Sequence, residues 1–180
     1  GLAATPAWTA EGNLAFANLG FALAGAGDVD SDTYDDVLIG APSIDQVRLY
    51  RGSAAGLTAS PAWQRTSLQA ESLLGGAVGG AGDVNGDSYD DVLVGAYSHD
   101  NGQADEGRAY VYLGSASGLV GVPVWTGESD QAGAVFGSSV ASAGDVNGDG
   151  YSDVIVSVPS AAINTPGCNV YFGSASGLPA

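Results

Sequence analysis

Apolar residues in this chain fall in runs of four to six, too short for long helices and rich in β-branched side chains, so they predict strands. The clearest are Val37-Leu38-Ile39-Gly40, Val92-Leu93-Val94-Gly95 and Val154-Ile155-Val156-Ser157, each closed by a turn signal. A second set follows at Val47-Arg48-Leu49-Tyr50, Tyr110-Val111-Tyr112-Leu113 and Val170-Tyr171-Phe172, each stopping at a Gly-Ser-Ala turn. Beyond those turns come Pro61-Ala62-Trp63 and Pro123-Val124-Trp125, where Pro is tolerated only at a sheet edge, so an outer strand is expected there. Ahead of each main strand, Leu19-Gly20-Phe21, Leu74-Gly75-Gly76 and Phe136-Gly137-Ser138 have the small residues an inner strand needs where backbones crowd near an axis.

The pattern is therefore a threefold repeat of a four-stranded unit of about sixty residues, which fits an all-β propeller better than a sandwich. The expected units are 11–63, 64–125 and 126–180, in one half-ring domain over 1–180, with residues 1–10 supplying an outer strand to another blade. Closed propellers use roughly four to eight blades, so three should not stand alone. Pro6-Ala7-Trp8 reads as an outer strand with no blade before it, and the third unit runs to Gly177-Leu178-Pro179-Ala180, where its own outer strand would begin. A homodimer by strand exchange, giving a six-bladed ring, is the expected closure. The rivals are a fragment of a seven-bladed parent and a part of a larger assembly.

Between the inner and the main strand of each unit lies an acidic loop. Oxygen-bearing side chains recur at positions 1, 3, 5 and 9: Asp28, Asp30, Asp32 and Asp36, then Asp83, Asn85, Asp87 and Asp91, then Asp145, Asn147, Asp149 and Asp153. This spacing wraps a short loop around a hard cation. Calcium takes roughly six to eight oxygens, so the carbonyl at position 7 (Tyr34, Tyr89, Tyr151) and water would complete each shell. Without a cation, unit charges ~4 Å apart repel by about 4 kcal/mol at an effective dielectric near 20. An EF-hand would need a Glu at position 12, where Ile39, Val94 and Val156 stand inside predicted strands. Magnesium prefers a tight octahedron with retained water, so three Ca²⁺ per chain are expected.

Phe136-Gly137, the Asp145-to-Asp153 loop and Gly40-Ala41-Pro42 resemble the hallmarks of the FG-GAP repeat, the blade unit of the integrin α-subunit N-terminal propeller. The resemblance spans nearly the whole chain. It departs where Leu19 and Leu74 replace Phe, Tyr97 replaces Pro, and Ser157-Val158 replaces Gly-Ala, all outside the acidic loops. It implies FG-GAP blades whose calcium ions brace the loop, a structural role and not a catalytic one. Similar repeats occur in bacterial secreted proteins and fungal sugar-binding propellers, so the ligand stays open.

Charge narrows the partners. Four arginines against twenty acids give −16, which excludes a nucleic-acid backbone or an anionic membrane as the natural partner. Three bound Ca²⁺ would bring this to −10. No apolar stretch approaches the ~18 residues of a membrane span, so no membrane insertion is expected. Gly1 in place of Met is expected of a mature product, an excised fragment or a designed chain. Cys168 is the one cysteine and reads as a small buried or half-buried strand residue. His99 is expected on an exposed loop, with no Gly-x-Ser-x-Gly or other nucleophile motif beside it. Trp8, Trp63 and Trp125 recur at matching positions, which favours packing over sugar stacking. The expected function is an extracellular, calcium-stabilised binding or adhesion module for a protein or glycan, and not an enzyme. The alternatives are a structural or oligomerisation unit of a surface assembly, and an accessory domain of a larger secreted protein or enzyme.

Overall fold

In the computed structural model the described residues are 3–159 and 166–179. Gly1, Leu2 and Ala180, which the expected outer strands include, lie outside them.

The chain is all-β. Strands β1 (Leu23–Gly27), β2 (Asp36–Ala41), β3 (Gln46–Tyr50) and β4 (Trp63–Thr66) form one antiparallel sheet in sequence order. Strands β5 (Leu74–Gly82), β6 (Asp91–Ala96), β7 (Arg108–Tyr112) and β8 (Trp125–Glu128) repeat it. Strands β9 (Val140–Gly144), β10 (Asp153–Val158) and β11 (Gly167–Tyr171) form a third sheet, which has three strands among the described residues. These are meanders of the kind that make propeller blades. The arc they form is not a closed ring.

The core lies between the blades. One cluster joins Val29, Leu38, Val47 and Leu49 of the first blade to Leu74, Val78, Val92 and Val94 of the second. The other joins Val84, Leu93, Ala109 and Val111 of the second to Phe136, Val140, Val154 and Val156 of the third. Alternation along each strand sends one side chain to the blade behind and the next to the blade ahead, which is why the strands read as nearly continuous apolar runs.

The inner strands differ from the sequence expectation. In the first and third units they begin at Leu23 and Val140, three residues beyond Gly20 and Gly137. Gly20, Gly75 and Gly137 have φ of 90°, 83° and 78°, left-handed conformations that turn the chain into the strand. Gly75 and Gly137 also meet the preceding blade. A Cβ at Gly75 would collide with the Gln46 carbonyl, and a Cβ at Gly40 or Gly95 would collide with the carbonyl of Gly75 or Gly137. The Phe-Gly and Gly-Ala hallmarks are thus two halves of one inter-blade joint.

Cys168 is exposed, contrary to the expected burial. It occupies the place of Val47 and Ala109, which are fully covered by the next blade, and among the described residues no sheet covers the third blade on that side. His99 is half-buried and not exposed, because its loop folds back through Gly107 N–H to His99 O and is tied to Gln69 through Asp100. The tryptophans pack between blades as edge-on partners of tyrosine: Trp63 on Tyr112 and Trp125 on Tyr171.

Candidate metal centre

Each acidic loop links an inner strand to the buried main strand, and its geometry follows from Asx-type bonding to its own backbone. The position 1 carboxylate holds the turn: Asp28 accepts from the N–H of Asp32 and Thr33, Asp83 from Gly86, Asp87 and Ser88, and Asp145 from Gly148, Asp149 and Gly150. The position 5 carboxylate accepts the N–H of position 7, as Asp32 does from Tyr34, Asp87 from Tyr89 and Asp149 from Tyr151. In the second and third loops Asn85 and Asn147 donate to Asp87 and Asp149.

In the first loop the ligand oxygens of Asp28, Asp30 and Asp32 lie within 4.8 Å of one another. Asp30 carries a fourth carboxylate where the other loops have Asn, and Arg51 answers it with an ion pair of 2.9 Å to Oδ2. Its Oδ1 is buried with no partner. Burial pushes the Asp30 carboxyl up, with Arg51 pulling the other way. An orphaned carboxylate oxygen beside two converging carboxylates is the donor set of a hard cation, so the residues fit Ca²⁺.

Position 9 stands apart. Asp36, Asp91 and Asp153 are buried, and each spends both oxygens on backbone N–H groups. One oxygen accepts from position 2 of the loop (Val29, Val84, Val146) and the other from the glycine after the third strand (Gly52, Gly114, Gly173). Burial raises the carboxyls of Asp36 and Asp91, Asp91 to about 7, against the pull of those N–H groups. Asp36 is not among the three residues whose oxygens converge in the first loop. The position 7 residues Tyr34, Tyr89 and Tyr151 sit in the bend of each loop, with Tyr34 exposed.

The loops also build the joints. Asp90 N–H donates to Asp28 O and Ser115 N–H to Val29 O, and at the next joint Ser152 N–H donates to Asp83 O and Ser174 N–H to Val84 O. Val29 and Val84 are thereby driven into the inter-blade core. This role of positions 1 and 2, and that of Arg51, was missed at the sequence level. The one hint was Arg51, one of four cations, following the one loop with Asp at position 3.

A separate concavity of about 430 Å³ lies between the first and second blades, lined by Thr66, Gln69, His99, Arg108, Tyr110 and Tyr112 among others. Arg108 is paired with Glu128, and burial, with Arg108 adding to it, lowers the His99 pKa. His99 Nδ1 is buried and without a partner.

Blades that repeat, lock through glycine and carry one acidic loop each define an acidic-loop, propeller-type repeat protein. The FG-GAP repeat matches residues 75–112 and 136–174, the second and third blades. Integrin alpha pat-2 of Caenorhabditis briggsae is 35% identical over 89% of this chain and 14% of that protein. Integrin alpha-4 of Xenopus laevis is 31% identical over 89% of the chain and 15% of that protein, and integrin alpha-PS2 of Drosophila melanogaster 33% over 78% and 10%. The chain carries FG-GAP repeats and is homologous to integrin α subunits. It spans about one-seventh of the length of the first two of those relatives.

Proposed function

We propose that this chain is a calcium-braced, non-catalytic recognition module of the adhesion type, working outside the cell. The observation that carries the reading is the acidic loop set in a chain homologous to integrin α subunits over most of its length. In the first two loops an ion would fix the turn that places position 2 under the neighbouring blade, so metal binding stiffens the scaffold and leaves recognition to the surface. No helix among the described residues is long and apolar enough to cross a membrane.

The groove between the first two blades is the favoured ligand site. Its tyrosine faces, the Gln69 amide, the Thr66 hydroxyl and a histidine held toward its neutral form suit a hydroxyl-rich glycan better than a strongly charged ligand. Arg108 is already engaged by Glu128, which lowers the draw on an anion. A glycan array and a protein pull-down, each with calcium and with EDTA, test the reading. Binding that is lost in EDTA and on Tyr110→Ala supports it; no ligand in either assay removes the recognition role and leaves a structural one.

A further inference from the structure

The three repeats differ at two positions that change together. Position 3 of the acidic loop is Asp30 in the first repeat and Asn85 and Asn147 in the others. The residue after the last tyrosine of the third strand, in Tyr50-Arg51-Gly52, Tyr112-Leu113-Gly114 and Tyr171-Phe172-Gly173, is a cation in the first repeat and apolar in the others. The two charges meet in space: Arg51 Nη1 lies 2.9 Å from Asp30 Oδ2, and the Asp30 side chain is only 7% exposed. Asn85 and Asn147 instead donate to Asp87 and Asp149 within their own loops, a bond that a carboxylate cannot give.

The guanidinium has a place built for it. Gly118, at φ of 93°, ends a turn of the second blade that packs against Arg51, and a Cβ there would collide with Nη2. Gly177, its counterpart in the third blade, has open space around it. Leu113, which stands at the place of Arg51 in the second repeat, packs against the inter-blade core. Asp90 adds to the negative field at the first loop by accepting the Asp28 N–H at 2.9 Å, at a position where the third blade has Ser152. With Oδ2 of Asp30 on Arg51, its Oδ1 is the oxygen left buried and unpartnered.

We propose that Arg51 is the built-in counter-charge of the first loop and sets how tightly that loop takes a divalent cation. It holds Asp30 by Oδ2 and leaves Oδ1 to face the ion. Three carboxylates at positions 1, 3 and 5 with one guanidinium give −2, and the two carboxylates at those positions in each other loop give the same. A fixed cation beside the site repels an incoming ion, and without an ion it relieves the repulsion among Asp28, Asp30 and Asp32. Arg51 acts through Asp30, so it is a positioning residue and not a ligand. The inference rests on the calcium reading of the loops.

Calorimetry with Ca²⁺ on the 180-residue chain tests it, the component of the first loop being the one that Asp32→Ala removes. Arg51→Leu, which installs the residue of the second repeat, should tighten that component roughly tenfold and lower the melting temperature in EDTA. Asp30→Asn leaves the guanidinium without its carboxylate and should weaken the component about tenfold. The double variant D30N/R51L carries the pair of the second repeat and should return to within about threefold of the wild-type affinity, with its melting temperature in EDTA recovered. Arg51→Lys, which keeps the charge, should stay close to wild type. Should R51L not fold in EDTA, the affinities of D30N and the double variant decide. Wild-type binding that R51L weakens or leaves unchanged, or single effects that fail to cancel in the double variant, overturns the proposal alone. A wild-type chain with no component for D32A to remove overturns the calcium reading beneath it as well.

Discussion

Carboxylates at positions 5 and 9 of the acidic loops do different work. Asp91 is buried and takes the N–H groups of Val84 and Gly114, whereas Asp32 is exposed, accepts one local N–H and has an oxygen converging with those of Asp28 and Asp30. Asp91→Ala strands two buried donors and is expected to cost about 2–4 kcal/mol in EDTA and calcium alike. Asp32→Ala should change the EDTA-state stability by less than about 0.5 kcal/mol and instead remove the calcium-dependent gain of the first loop. Urea unfolding of both variants, with and without calcium, separates the two roles. Glu106 presents a different case, since it is fully buried and both carboxylate oxygens lack a partner. Burial raises its pKa in the folded chain. A raised acid binds its proton more tightly folded than unfolded, so its contribution is present below the unfolded pKa and is lost as pH rises through the folded one. Glu106→Gln should therefore flatten the fall in stability on the alkaline side of that window, read as melting temperature against pH. An unchanged profile would mean the carboxylate is not held neutral.

At the scale of the element, the joint between blades rests on glycine. Gly75→Ala must both hold φ near +83° and push a methyl into the Gln46 carbonyl, whereas Gly20→Ala faces only the left-handed backbone at φ +90° with open space around it. The expected losses are about 1–2 kcal/mol for Gly20→Ala and roughly 2 kcal/mol more for Gly75→Ala, measured by thermal or urea unfolding. Equal losses would show that the close approach carries no weight. The strands and acidic loops were legible in the sequence because each repeats three times and because the loop spacing is set by local bonding, as Asp83 and Asp145 illustrate with the same set of N–H partners. The inner-strand starts were not, since Gly20 and Gly137 signal crowding equally well whether they stand in a strand or in the turn leading to it. Cys168 misled for a related reason: its strand pattern encodes burial against a neighbour that these three blades do not include. Likewise the inter-blade use of the Asp28 and Val29 carbonyls left no trace in side-chain identity, because backbone groups carry none.

At the scale of the whole molecule, the three candidate calcium loops share a sequence pattern but not a setting. The first two are clamped from beyond by the next blade through Asp28, Val29, Asp83 and Val84, with position 2 buried. The third has Asp145 and Val146 exposed, and among the described residues no following blade holds its turn. A loop already fixed in its bound shape loses less conformational freedom on taking an ion, so the clamped loops should bind more tightly. Each ion bound only to the folded chain adds about 2.7 kcal/mol at a hundredfold excess over its Kd, so chelation should lower the melting temperature. Calorimetry on the 180-residue chain is accordingly expected to resolve two stronger sites and one weaker. Three equivalent sites would show that the clamp of a following blade carries no weight in holding the ion.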